Sequence, residues 1–363
     1  MKASHGWLLI LAGGWMALAA AACGSPVPAK TATPTPPDEI VLYSWVGYMP
    51  QQVLEDFTRE TGIRVRYEAY DSQARAAEQI RQGLDYDLVI LEKEYLPSLI
   101  EGGFLTELDY RNIPNARHIS ANFRDLAFDP GNHYSIPFHW GTSGLLVRTD
   151  QVIEPITRWS DLWNPALAGR VAVWPIQNSL IPMALLADGH SVDSVDPQDL
   201  ADAAVRLRWL RDHAQIASNL DESIIPHLLS GGAVAAYGWA YDADQAIREG
   251  APIAYVIPEE GTILWQDMFV IPYASSHPRA AELFLDFVLR PDVTATIIEE
   301  SRYAMANDAA LELLNPATLA NPLIFPSAET LNHAIIPLPL SQEAQALWDQ
   351  LWAETLGPVE AGP

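Results

Sequence analysis

The sequence predicts an α/β protein of two lobes, each a mixed, mainly parallel sheet flanked by helices. Three observations carry this. The chain has 363 residues, the length of two domains of ordinary size. Residues 40–91 read strand, helix, strand, helix, strand, the order that builds a parallel sheet with helices on its faces. A second alternation of strands and helices runs over residues 170–257. Apolar residues make up 49% of the chain and charged ones 18%, so both sheets have material for a buried core.

The first sheet opens with Ile40-Val41-Leu42-Tyr43-Ser44-Trp45, a buried strand by composition. Pro50 suits the first turn of a helix. Val53, Leu54 and Phe57 give that helix one apolar face, and Gly62 stops it. Residues 63–67 alternate as the next strand. Residues 74–82 form a polar helix closed by Gly83, and residues 86–91 a third strand. Ligands of such sheets sit beyond the carboxyl ends of the strands. Trp45 to Tyr48 and Glu92 to Tyr95 lie at those ends.

Residues 136–147 would carry the chain out of the first sheet. In the second, residues 170–174, 233–237 and 253–257 read as strands. Asp196-Pro197 starts a helix with an N-cap and a first-turn proline, and Leu200, Ala203, Leu207 and Leu210 form its apolar face. Residues 242–249 form another, ended by Gly250. A last clear helix spans residues 278–289, with Ala281, Phe284, Leu285 and Val288 on one side.

The N-terminal segment is of another kind. Lys2 precedes an uncharged run from Leu8 to Ala22, which ends in Ala20-Ala21-Ala22-Cys23-Gly24-Ser25. This is a secretory signal, expected over residues 1–22. Cys23, the one cysteine, resembles the lipidated cysteine of a bacterial lipobox, with Ala20 where leucine is usual. Lipid chains on it would anchor the protein at a membrane surface. The Pro/Thr/Ala-rich stretch that follows reads as a mobile tether within residues 23–38. No other run reaches the length of a membrane span. A lone cysteine leaves no disulfide framework and no cysteine-rich metal site. The formal charge of −25 argues against nucleic acid as a partner.

One stretch carries a chemical suggestion. In Thr262-Ile263-Leu264-Trp265-Gln266-Asp267-Met268-Phe269, Trp265 and Asp267 stand two apart, on one face of an extended chain. An indole face and a carboxylate in one space suit an organic cation. A strand with a core tryptophan and a turn aspartate is the other reading. No nucleophile-elbow, H-E-x-x-H or P-loop motif is present. Glu259-Glu260, or Glu92 with Glu94, could imitate a glycosidase pair, but adjacent acids in loops are more often solvated. A metal receptor would have to use tyrosines such as Tyr237 and Tyr241 with carboxylates. Both classes are disfavoured, and no cofactor is expected.

Six pieces in order carry a family resemblance: Tyr43-Ser44-Trp45-Val46-Gly47-Tyr48 with Leu54 to Ile63, Tyr86-Asp87-Leu88-Val89, Asp129 to Gly141, Trp159 to Pro165, Trp265-Gln266-Asp267, and Phe287 to Val293. Together they resemble the bacterial spermidine/putrescine-binding proteins, the solute receptors of polyamine ABC importers, in a lipoprotein form. The resemblance implies a periplasmic-binding-protein fold of type II, with a hinge between lobes that close on ligand. It implies lobe 1 over residues 39–143 and 265–310, and lobe 2 over residues 144–264 and 311–358. It implies a non-enzymatic monomeric receptor on the outer face of the cytoplasmic membrane or in the periplasm, delivering a polyamine to an ABC permease.

A polyamine needs carboxylates for its ammonium groups and aromatic walls for its methylenes. Carried over position by position, the resemblance puts Trp45, Tyr48, Trp239, Trp265 and Tyr303 at pocket aromatics, and Asp267 at the carboxylate that holds a terminal amine. The departures are equally specific. Ile176 and Ser179 stand on the positions of the family's second acidic pair, Glu94 replaces a pocket aromatic, and Pro337 falls near a late glutamine. Glu92, Glu94, Asp221 or Asp242 could restore a second carboxylate. Asp221 could equally be an N-cap, and Glu94 a solvated first-turn residue. The alternative is the same receptor carrying a different amine or quaternary cation.

Overall fold

The computed structural model describes residues 37–152, 154–217 and 223–357. The signal segment, Cys23, most of the tether and Asp221 lie outside them. Eleven strands belong to one sheet: β1 Glu39–Ser44, β2 Arg64–Ala69, β3 Leu88–Glu92, β4 Ser135–Arg148, β5 Val171–Val173, β6 Gln215–Ile216, β7 Ala235–Trp239, β8 Ile253–Val256, β9 Thr262–Val270, β10 Ala304–Met305 and β11 Ala334–Ile335. Their order is β2-β1-β3-β9-β4-β7-β5-β6, with β8 and β10 on β4 and β11 on β9. The first three strands pair in parallel, as do β5, β6 and β7; β4 runs antiparallel to its neighbours, and β9 runs antiparallel to β3 and β4 but parallel to β11.

Local chemistry explains the boundaries. The helix Gln51–Thr61 buries Val53, Leu54 and Phe57 and ends at Gly62, whose φ of 77° is the left-handed stop a glycine permits. Asp196 caps the helix Pro197–His213 by accepting from the Gln198 amide at 2.8 Å.

Side chains alternate across each half of the sheet, so each half buries two faces. In the first half Ile40, Leu42, Ile90 and Phe269 face one core with Phe57 and Phe284, and Val41, Tyr43, Leu91 and Met268 face another with Ile80 and Leu96. In the second half Leu145, Val173 and Tyr237 lie on one side, and Leu146, Ala172 and Ala236 on the other. These are the two lobes.

The long strands β4 and β9 join them. Near its start β4 pairs with β10, and near its end with β7 and β8. Along β4 the packing passes from Trp140, in a first-lobe core, to Leu145, in a second-lobe core. Between them stand Gly141, Thr142, Ser143 and Gly144. Along β9 the change falls between Ile263 and Leu264. Farther on, Leu314 and Ile324 pack in a first-lobe core, while Trp348 and Leu351 of the helix Gln342–Thr355 pack in a second-lobe core.

Candidate ligand-binding site

The carboxyl ends of β1, β2 and β3 point at the junction crossed by β9, and the carriers of chemistry gather there. Trp265 and Asp267 share a face of β9. Each owes its position to a neighbour. Trp265 pairs in register with Gly141 of β4, and a Cβ on Gly141 would stand 2.6 Å from the indole ring. Glycine is what lets the ring lie against the strand. Asp267 pairs in register with Glu92, the last residue of β3.

Tyr48, from the loop after β1, donates its hydroxyl to Asp267 Oδ2 at 2.7 Å. The Tyr48 ring lies 5.2 Å from Tyr303, which meets Trp265 edge-on at 5.8 Å and stacks on Tyr241 at 4.4 Å. His139 abuts both Tyr48 and Tyr303, and burial holds it neutral, with its pKa lowered to about 3. Four of the residues read from the sequence, Tyr48, Trp265, Asp267 and Tyr303, thus form one cluster. Trp45 packs edge-on to Tyr70 at 4.8 Å, and the charges of Asp267 and Glu92 both help to raise Tyr70, after burial. Trp239 ends β7 in the second lobe, 6.2 Å from Tyr237 and 6.3 Å from Trp174.

The electrostatics are unusual for a fold that could have filled this space with hydrocarbon. Asp267 is 1% exposed. Its Oδ1 has no hydrogen-bond partner among the described residues, and neither has Trp265 Nε1. Burial pushes the Asp267 carboxyl up to about 7; the Tyr48 hydrogen bond opposes the rise, the Glu94 charge adds to it, and the neighbouring Gln73 amide and Lys93 oppose it, although Gln73 makes no hydrogen bond of good geometry to Oδ1. Burial also raises Glu92 well above the carboxylate range, helped by Glu94 and Asp267 and opposed by Lys93. Lys93, itself 1% exposed, forms an ion pair with Glu94. Leaving a buried carboxylate oxygen unpaired costs several kcal/mol, a cost relieved by a proton or by a cationic partner.

The remaining candidates are placed differently. Asp242 is buried, and its Oδ2 accepts from the Trp239 amide at 3.3 Å, at the start of the helix Ala240–Arg248. Burial raises its pKa to about 6, and its charge also reaches Tyr303. Glu94 sits on the turn Lys93–Tyr95, held by Lys93. Ile176 precedes the helix Gln177–Ala187, which has no side-chain cap and no acid in its first turn. Ser179 is buried beside Tyr237, whose hydroxyl burial raises to about 12. Among the described residues no three His, Cys, Asp or Glu side chains are grouped to hold a metal ion.

A family described as bacterial extracellular solute-binding protein matches residues 52–326. The chain belongs to this family. It is a solute receptor, and not an enzyme. The spermidine/putrescine-binding periplasmic protein of Escherichia coli strain K12 is 32% identical over 297 residues, covering 81% of this chain and 85% of that one. A putrescine/agmatine-binding protein of Pseudomonas aeruginosa is 29% identical over 335 residues, covering 85% and 90%. Among solved structures, the spermidine/putrescine ABC transporter substrate-binding protein of Streptococcus pneumoniae, in complex with calcium and HEPES, superposes with a TM-score of 0.76 at 28% identity, covering 88% and 98%.

For this receptor, sequence reading underweighted Tyr70, Gln73, Lys93 and the pairing of Glu92. Tyr70 follows β2 just as Trp45 follows β1, so the carboxyl-end rule alone could have found it. Gln73 accepts from the Glu92 amide at 2.5 Å, across a distance no local pattern signals. Glu92 and Lys93 read locally as solvated charges; the fold half-buries Glu92 against β9 and buries Lys93.

Proposed function

We propose that this protein is the extracytoplasmic receptor of an ABC importer and binds a polyamine, putrescine or spermidine, between its lobes. The observation that carries the reading is the buried, incompletely paired Asp267 carboxylate enclosed by Tyr48, Trp265 and Tyr303. An ammonium group supplies the missing partner, and the ring faces suit the charge and the methylenes beside it. The printed names of the relatives support the same ligand class. Trp45 and Trp239, one from each lobe, would complete the walls, and Glu94 would add negative potential at the strand ends. Asp242 and Asp221 are the candidates for a second amine. Ligand stabilises the closed state because only there do both lobes touch it.

The lobes divide along β4 and β9, with residues 39–143 and 264–310 on one side and 144–263 on the other; residues 311–358, expected in the second lobe, do not all belong to it, because Leu314 and Ile324 pack in a first-lobe core. The return to the second lobe is complete by Ile335, which packs against its core. Cys23 carries the lipid that holds a monomeric receptor at the outer face of the membrane, where the permease takes the ligand.

The acid-free start of the helix Gln177–Ala187 favours a second reading, a cation with one charged end. Calorimetry and thermal unfolding with putrescine, spermidine, agmatine and a quaternary ammonium compound decide between them. Ligand at about 100-fold over Kd stabilises by about 2.7 kcal/mol. Binding of a polyamine supports the first reading. Binding of the quaternary cation alone replaces the ligand and keeps the receptor.

A further inference from the structure

Glu92 and Asp267 are directly opposed on the antiparallel β3–β9 ladder. The pairs before them are apolar, Leu91 with Met268 and Ile90 with Phe269. Directly opposed residues project to one face with Cβ atoms about 4.5–5.5 Å apart, and like charges so placed repel. A ladder that needed only stability would not end in two acids. Asp267 is buried with one oxygen unpartnered, and among the described residues no side chain donates a hydrogen bond to the half-buried Glu92 carboxylate.

We infer that Glu92 is a ligand-binding residue and that Glu92 and Asp267 together form a two-carboxylate clamp on a single ammonium end of the ligand. The inference rests on the cationic-ligand reading above and refines it. The acid absent from the Ile176 and Ser179 positions is balanced by one at the end of β3, in register with Asp267. Lys93 pairs with Glu94 rather than with either clamp acid, so the clamp has no cation of its own. Glu92 also reaches across the cleft: its charge adds to the rise of the Tyr237 hydroxyl in the second lobe, beside Ser179.

Without ligand the clamp relieves its repulsion by holding a proton. The groups facing it are Lys93, Glu94 and Tyr95 on its own turn, Tyr48 and Tyr70 from the ends of β1 and β2, Tyr303 beside β10, and Tyr237 of β7. Burial keeps all five tyrosines protonated at neutral pH, and His139 behind Tyr48 is neutral. The proton therefore belongs to the two carboxylates, and an arriving ammonium expels it.

Two arms on the full-length protein test this. The first needs no ligand: unfolding is followed from about pH 5 to about pH 8 for wild type, Glu92→Gln and Glu92→Ser. A clamp makes wild-type stability fall as pH rises, and removing one acid flattens the fall in both variants. Curves that superpose on wild type overturn the clamp, whether or not any polyamine binds. The second arm is calorimetry with spermidine and putrescine in buffers of different ionisation enthalpy. Wild type releases protons on binding; Glu92→Gln binds at least tenfold more weakly and releases less than half as many. Affinity within twofold of wild type overturns the role of Glu92 in binding. If wild type binds neither compound, the polyamine reading fails, and the first arm still decides the clamp.

Discussion

Replacing Asp267 by asparagine removes a buried charge and keeps the shape and the acceptor for Tyr48. In the ligand-free protein, burial first and the Glu94 charge next lift this carboxyl from its ordinary 3.8 to about 7, against the Tyr48 hydrogen bond. The unfolded side chain therefore loses its proton near pH 4, whereas the folded one keeps it until about pH 7. Between those values the native state binds more protons, and its stability falls as pH rises. A rise of about three pH units at about 1.4 kcal/mol each comes to ~4 kcal/mol, a loss that is complete above pH 7 and absent below pH 4. The asparagine of the variant does not titrate. Urea unfolding at several pH values should show the Asp267→Asn curve flatter than wild type, with the ligand-free variant the more stable above neutrality. With spermidine the order reverses, because the variant has lost the charge that holds the amine. Parallel wild-type and variant curves across this range would refute the argument that a costly buried charge is kept for a ligand.

Trp265→Ala removes a ring face worth about 0.5–2 kcal/mol to a bound cation, so polyamine affinity should drop about 2–30-fold in calorimetry; unchanged affinity counts against the site. Gly141→Ala would put a methyl 2.6 Å from that indole and should cost about 1–3 kcal/mol in chemical unfolding. In a Trp265→Ala background the same change should cost much less, and additive effects would show that the indole is not what Gly141 accommodates. Ile176→Asp supplies the missing cap of the helix Gln177–Ala187, a change worth about 1 kcal/mol to the helix; it also adds a carboxylate at the acid-free end and should tighten putrescine binding. Cys23→Ser should move the protein from the membrane to the soluble fraction and abolish labelling by a fatty-acid probe.

Where local pattern and tertiary context agree, the fold was legible in the sequence. β1 and β3 are short apolar runs bounded by glycine, proline or charge, and the helices Gln51–Thr61 and Pro197–His213 carry their own stops and caps. The two-residue strands β6, β10 and β11 have no period to read and exist because neighbouring strands offer free edges. In the site, Trp265 and Asp267 were legible because the strand period put them on one face. Glu92 was legible only as one of several acids that could restore a second carboxylate; its pairing with Asp267 appears only once β9 lies beside β3. Asp242 shows the converse: as a bare acid near the pocket it was a ligand candidate, and the fold spends one of its oxygens on the Trp239 amide.

The placement of charge also bears on how such a cleft would fill. Glu92 ends β3, Glu94 stands on the turn after it, and Asp267 lies within β9 beside them, all on the first-lobe side. Across from them the second lobe offers Trp239, Tyr237 and Ser179, and its buried Asp242 already accepts a backbone hydrogen bond. An open receptor would thus present its negative potential on one wall, and a polycation would be drawn to that wall first. The second lobe adds mainly aromatic surface, which gains little until water is excluded and much once it is. Association should then slow as salt screens the half-buried Glu92 and Glu94. Dissociation depends on reopening the aromatic contacts, and should respond weakly to salt.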